Sequence, residues 1–116
     1  MSALVKPLTW LAGVILLLVG ILGFFQNPIL GTFEVNTLHN LVHLVTGAAG
    51  LIAAGMGLGA SRSYLIIFGL VYLVVTVLGF LGISLVTNTL MVNGADNYLH
   101  LAIAAVYLLV GFGSKN

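Results

Sequence analysis

The sequence has no cysteine and very little charge. The lack of cysteine excludes disulfides and thiolate chemistry. Only 4% of the 116 residues are charged, whereas soluble proteins carry about a quarter. The formal net charge is +1, which is too little positive charge for a nucleic-acid-binding surface. Because 61% of the residues are hydrophobic, we expect lipid to surround most of the protein.

The motifs of common enzymes are also missing. The sequence contains no Ser-His-Asp constellation, no glycine-rich phosphate loop and no paired catalytic carboxylates. We therefore expect a protein that is not an enzyme.

Four apolar runs take up most of the chain, roughly residues 8–25, 37–60, 64–86 and 95–112. A membrane-spanning helix needs about 20 such residues, and the alternation of a β-barrel strand is absent. The sequence predicts an all-α, polytopic bundle of four transmembrane helices in a single membrane domain, residues 1–116. Pro7 suits the first turn of the first helix. We expect this helix to be retained rather than cleaved as a signal peptide, because no small-residue cleavage site follows it.

The few charges predict the orientation. The basic residues fall at the two termini and in the middle loop, and the acidic residues fall in or after the other two loops: Lys6, Arg62 and Lys115 against Glu34 and Asp96. The positive-inside rule then places both termini in the cytoplasm. Tyr64 is expected in the inner aromatic belt.

One ten-residue motif occurs twice. Residues 35–44 read VNTLHNLVHL and residues 92–101 read VNGADNYLHL. The second and fourth helices align at an offset of 57 residues, and the first and third align at 56. We predict two parallel helical-hairpin repeats, about residues 7–58 and 63–114, related by an axis near the membrane normal.

Both motif copies begin with a residue suited to cap a helix. Asn36 and Asn93 are predicted N-caps, and Asp96 lies where a capping-box acid would. For the third helix, Ser61 or Ser63 is the expected cap.

The polar residues of each motif share one helix face. Because a polar stripe is costly in lipid, we expect one buried cluster in the outer half of the bundle, formed by His39, Asn40, His43, Asp96, Asn97 and His100. The simplest interpretation is structural, with asparagine and histidine side chains hydrogen-bonding between helices. Its members would include Asn36, Asn40, Asn93 and Asn97.

Two spacings point to metal chemistry. His39 and His43, and likewise Asp96 and His100, are four residues apart, so each pair offers two ligands on one face. Together they form a set suited to zinc or another divalent ion, and the same groups could relay protons.

A further interpretation uses only His43 and His100. Histidines at similar depth on two helices can ligate haem iron or the magnesium of chlorophyll, and neighbouring glycines would make room for a ring.

At the two motifs the sequence resembles a bacterial membrane family catalogued as domain of unknown function 4383. The motif residues His39, Asn40 and His43, and then Asp96, Asn97 and His100, match its early and late patterns. Members often carry a proline shortly after the second cap, where this chain has Gly94 and Ala95. The resemblance covers essentially the whole chain. It implies a small four-helix protein of the bacterial cytoplasmic (inner) membrane or an internal membrane, and it implies no activity.

From these observations we expect a non-enzymatic accessory or assembly subunit. Its partners would be the lipid bilayer and a larger membrane complex, or further copies of itself. Cofactor binding through His43 and His100, and a metal site or proton relay, are the alternatives.

Overall fold

Four long helices make up most of the protein, as the apolar runs predict. The computed structural model describes residues 1–115, and its α-helices are α1 (Ser2–Leu22), α2 (Thr37–Met56), α3 (Leu58–Phe80) and α4 (Gly94–Gly113). A short π-helix, Leu85–Thr89, lies between α3 and α4. Each of the four α-helices is long and apolar enough to span a membrane. The all-α prediction is confirmed, and four such helices indicate a multi-pass membrane protein.

Two helix starts differ from the prediction. Helix α1 begins at Ser2, so Pro7 lies inside it rather than in its first turn. Helix α3 begins at Leu58, directly after Gly57, and the predicted serine cap was wrong. Gly57 has a φ of 120°, a conformation that favours glycine and lets the chain turn from α2 into α3 within one residue. The Ser61 hydroxyl instead donates to the Gly57 carbonyl at 2.7 Å.

The helices pack mainly as two pairs, α1 with α2 and α3 with α4. Glycines allow the close approach within each pair. A Cβ on Gly13 would lie 3.0 Å from the Gly47 carbonyl oxygen, and one on Gly69 would lie 2.8 Å from the Leu108 side chain. Small residues at such crossings are the usual means of packing helices in lipid.

The two ends of the chain lie side by side. The Ser2 hydroxyl donates to the Lys115 carbonyl at 3.0 Å and accepts from the Lys115 amide at 2.8 Å. The loops that precede α2 and α4 lie at the opposite end of the bundle, which we call the loop end. That the end with the termini faces the cytoplasm stays a prediction.

The two loops are joined by a reciprocal pair of hydrogen bonds. The Asn36 side-chain amide donates to the Thr89 carbonyl at 2.8 Å, and the Asn93 amide donates to the Thr32 carbonyl at 2.9 Å. Both donors and both acceptors are 57 residues apart, which is the offset between the two motif copies. The repeat boundaries themselves stay a prediction.

Burial differs between the two ends of the bundle. An apolar cluster that includes Val5, Leu65 and Val110 fills the end with the termini. Towards the loop end, buried polar side chains, most of them from the two motifs, lie together with the buried apolar residues Ile29, Val35, Val86 and Val92. Large apolar side chains cover the outside of all four helices, as a lipid environment requires.

Candidate metal centre

The starts of α2 and α4 are fixed by their asparagine caps. The Asn36 carboxamide oxygen accepts from the His39 amide at 2.9 Å, and the Asn93 oxygen accepts from the Asp96 amide at 2.9 Å. In α4 the Asp96 carboxylate also accepts from the Asn93 amide at 3.0 Å, which completes a capping box. The predicted caps are confirmed.

Three imidazoles converge just inside these caps. His39 and His43 lie on successive turns of α2, and His100 lies on α4. The ring centroids are 4.5 Å apart for His39 and His43, 5.6 Å for His39 and His100, and 6.2 Å for His43 and His100. One ligand atom from each ring lies within 4.8 Å of those of the other two. These are all the histidines that the sequence contains.

The histidines are buried with ring nitrogens unpaired. Each side chain is only 2–3% exposed. Nδ1 of His43 and Nδ1 of His100 have no hydrogen-bond partner among residues 1–115. Neither ring nitrogen of His39 has a partner of acceptable geometry there, although the Leu90 backbone lies close to this ring. A buried polar group without a partner costs about 1–3 kcal/mol, so an ion or a water molecule beside these nitrogens would be stabilising.

A small cavity lies between the imidazoles. Its volume is about 30 Å³, and the three histidines share its walls with Tyr72 and five apolar side chains, Val42, Val71, Val75, Leu90 and Val92. A space of this size holds one ion or one water molecule.

The distances between the histidine nitrogens are close to the distances between the nitrogen ligands of a bound metal ion. Nitrogen ligands at 2.0–2.1 Å from a metal lie about 3.3–3.6 Å from one another. Ligand atoms within 4.8 Å of one another therefore need to move by about 1 Å to bind one ion together. Side-chain rotations of His39, His43 and His100 would have to supply this movement.

Asp96 does not belong to the converging group. The structure brings together three histidines, whereas the sequence predicted a fourth ligand at Asp96. Its carboxylate is buried but serves the helix cap, where it accepts from the Asn93 amide. The structure therefore brings together three of the four predicted ligands.

The side chains of the motif asparagines Asn40 and Asn97 fill the space beside two glycines. A Cβ on Gly23 would overlap the carboxamide of Asn40, and a Cβ on Gly79 would overlap that of Asn97. Neither carboxamide oxygen has a hydrogen-bond partner among residues 1–115. Each amide thus packs against the preceding helix of its own pair, in keeping with a structural role.

Three tyrosines are buried in the bundle, and Tyr72 among them was not predicted from the sequence. The Tyr72 ring lies 5.5 Å from that of His100, and its hydroxyl is 3.0 Å from the Thr46 hydroxyl. The Tyr64 hydroxyl donates to the Thr46 carbonyl at 2.8 Å and lies 3.0 Å from the Tyr107 hydroxyl. Tyr64 is buried, so its predicted place in an aromatic belt was wrong. Tyrosines in the middle of a membrane helix were the available signal, because a buried hydroxyl requires a partner.

An apolar groove also reaches the histidines. It is lined mainly by α1 and α4, has a volume of about 290 Å³ and includes His43 in its wall, but neither His39 nor His100. His43 therefore separates this groove from the small cavity.

A macrocycle held by both His43 and His100 does not fit this arrangement. The cavity between the two rings is about 30 Å³, whereas pockets for organic ligands measure about 300–1,000 Å³. The His39 ring, 4.5 Å from His43 and 5.6 Å from His100, takes up space that a porphyrin or chlorin would need.

Comparison with known families agrees with the motifs. The model of the family described as domain of unknown function (DUF4383) matches residues 6–113, which is nearly the whole chain. The chain belongs to the DUF4383 family. Searches of curated proteins and of solved structures gave no match. Membership in DUF4383 therefore supports the resemblance seen in the sequence and assigns no activity to the three histidines.

Proposed function

We propose that this protein is a small membrane protein that binds one transition-metal ion through His39, His43 and His100. The observation that carries the proposal is the convergence of three buried imidazoles around a cavity of about 30 Å³. Imidazole nitrogen is a good ligand for zinc, copper, iron and nickel, and oxygen-preferring ions such as magnesium and calcium are poorly matched by it.

The energetics of the cluster support a ligand. Buried polar side chains of membrane helices usually have a hydrogen-bond partner. Here ring nitrogens of all three histidines lack one within the described residues. A metal ion would use the lone pair of one nitrogen in each ring, and it would draw the three rings together.

The other predicted roles have less support from the geometry. Porphyrin or chlorophyll binding by both His43 and His100 requires a space that the structure does not provide. The accessory role stays a prediction, because apolar helix surfaces suit lipid and a protein partner equally well. The proton relay and the absence of enzymatic activity also stay predictions.

The experiment is a metal-binding titration of the protein in detergent. The affinity tag must be removed, since tag histidines would bind metal themselves. We expect about one ion per chain, and loss of binding when any one of the three histidines becomes alanine. Tyr72→Phe is the matched control, because it keeps a ring in the cavity wall and removes no imidazole. Metal binding that survives in the variant lacking all three histidines would refute the proposal.

A further inference from the structure

We propose that the ion held by His39, His43 and His100 is monovalent, and that it is copper in the Cu(I) state. This inference rests on the proposed metal centre and concerns which ion that centre selects. It follows from three observations. The ligands are neutral, the cavity walls are apolar, and three nitrogen atoms are available to coordinate the ion.

The ligands carry no negative charge. An imidazole ligates through a neutral nitrogen, so three histidines leave the full charge of the ion uncompensated. The sequence has no cysteine to supply a thiolate and only two acidic residues. Of these, Glu34 is exposed and Asp96 is engaged in the cap of α4. No carboxylate among residues 1–115 joins the converging group.

The surroundings make that charge costly. Apart from the histidines and Tyr72, the cavity is lined by valine and leucine side chains. The energy of transferring an ion from water into such a medium rises with the square of its charge, so a monocation costs about a quarter of what a dication does. A site without an anionic ligand therefore favours the ion of lower charge.

The number of donors agrees with the charge. A zinc ion held by three histidines takes a water molecule as its fourth ligand, and a cavity of about 30 Å³ holds one ion or one water molecule rather than both. Cu(I) is satisfied by three donors in a plane. Tyr72 is the remaining polar side chain in the described cavity wall, and its hydroxyl already pairs with Thr46. Three imidazoles thus suit Cu(I) without a further ligand.

The test compares ions of different charge on the same tag-free protein in detergent. Cu(I) is titrated without oxygen against a coloured Cu(I) chelator, Ag(I) serves as a redox-inert monovalent ion, and Zn(II) is titrated against a zinc indicator. We expect Cu(I) and Ag(I) to bind once per chain, and Zn(II) to bind at least about 100-fold more weakly. Zinc binding as tight as that of Cu(I), with the same dependence on the histidines, would overturn this inference and leave the metal centre standing. Failure of every transition ion to bind would overturn both.

One substitution tests the charge argument directly. His43→Glu supplies an anionic ligand one turn further into α2 than His39, and so away from the position at which Asp96 serves the cap of its own helix. The preference for Cu(I) over Zn(II) should then fall by at least about tenfold. Asp96→Asn is the matched control, and it should leave the preference unchanged. An unchanged preference in His43→Glu, or a changed one in Asp96→Asn, would show that ligand charge does not select the ion. If His43→Glu does not fold, the wild-type comparison and Asp96→Asn still decide the question.

Discussion

The two motif copies have nearly the same backbone setting but different chemistry at one position. Asn36 and Asn93 cap their helices in the same way, and each binds the loop of the other half. At the third residue after the cap, the first copy has His39 and the second has Asp96. Asp96 returns its carboxylate to the cap, whereas His39 turns its ring towards His43 and His100. In the proposed metal centre, this one residue supplies the third imidazole, which the cap of α2 does not require.

The largest expected effect is a loss of metal affinity when one of the proposed ligands is removed. His43→Ala and His100→Ala occupy equivalent positions, and each should weaken metal binding by at least about 100-fold, or about 2.8 kcal/mol. The reason is that each removes one of three ligands. Binding constants of the two variants, measured with the same ion, provide the check. A large loss in one variant alone would mean that the three imidazoles do not act as one site.

A second comparison concerns the glycines beside the motif asparagines. Gly23→Ala and Gly79→Ala would each force a methyl group into the space of a carboxamide, Asn40 or Asn97. Overpacking of this kind costs about 1–3 kcal/mol. Thermal unfolding in detergent should show a similar loss in both variants. Gly55→Ala is a suitable control, because a Cβ there meets nothing within 4 Å.

Removal of either asparagine cap should lower the stability by a smaller amount, and by the same amount in the two halves of the protein. Asn36→Ala and Asn93→Ala each remove a cap worth about 1 kcal/mol and one of the two bonds between the loops. Both variants should unfold at a lower temperature. Asn36→Asp and Asn93→Asp keep the capping oxygen and lose the donor to the other loop, so they separate the two contributions. Equal stability of the alanine and aspartate variants would assign the effect to the bond between the loops.

The smallest effect is expected at Asp96, which occupies the position in the second motif copy that His39 occupies in the first. Asp96→Asn keeps a side-chain oxygen for the cap but removes a negative charge from the first turn of α4, at a cost of about 0.3–1 kcal/mol. Metal affinity should stay the same, because this carboxylate is not among the converging ligands. A loss of metal binding in Asp96→Asn would restore the four-ligand site that the sequence predicted.

Much of this arrangement could be predicted from the sequence. The apolar runs indicated four helices, and the asparagines before the second and fourth runs indicated their caps. Helical periodicity placed His39, His43 and His100 in one buried cluster. The prediction for Asp96 shows the limit of spacing, because a residue four positions before His100 suits both a ligand and a capping acid. Only the hydrogen bond from the Asn93 amide decides between the two roles.

Other features depend on packing that spacing does not describe. Tyr72 reaches the histidines from α3, and nothing in the local sequence shows which side chains will face it across the bundle. The turn at Gly57 is another example, since serine is a common N-cap residue and two serines follow this turn, yet neither caps α3. The room left between His43 and His100, which decides against a macrocycle, depends on where His39 lies in three dimensions.

The most direct test of the three-histidine centre is an X-ray absorption spectrum of the tag-free, copper-loaded protein, recorded at the copper edge. The account predicts about three nitrogen ligands at about 2.0 Å, with the outer-shell scattering of imidazole rings. The variant lacking all three histidines should lose this spectrum. An oxygen-rich shell without imidazole scattering, or a spectrum unchanged in that variant, would contradict the account.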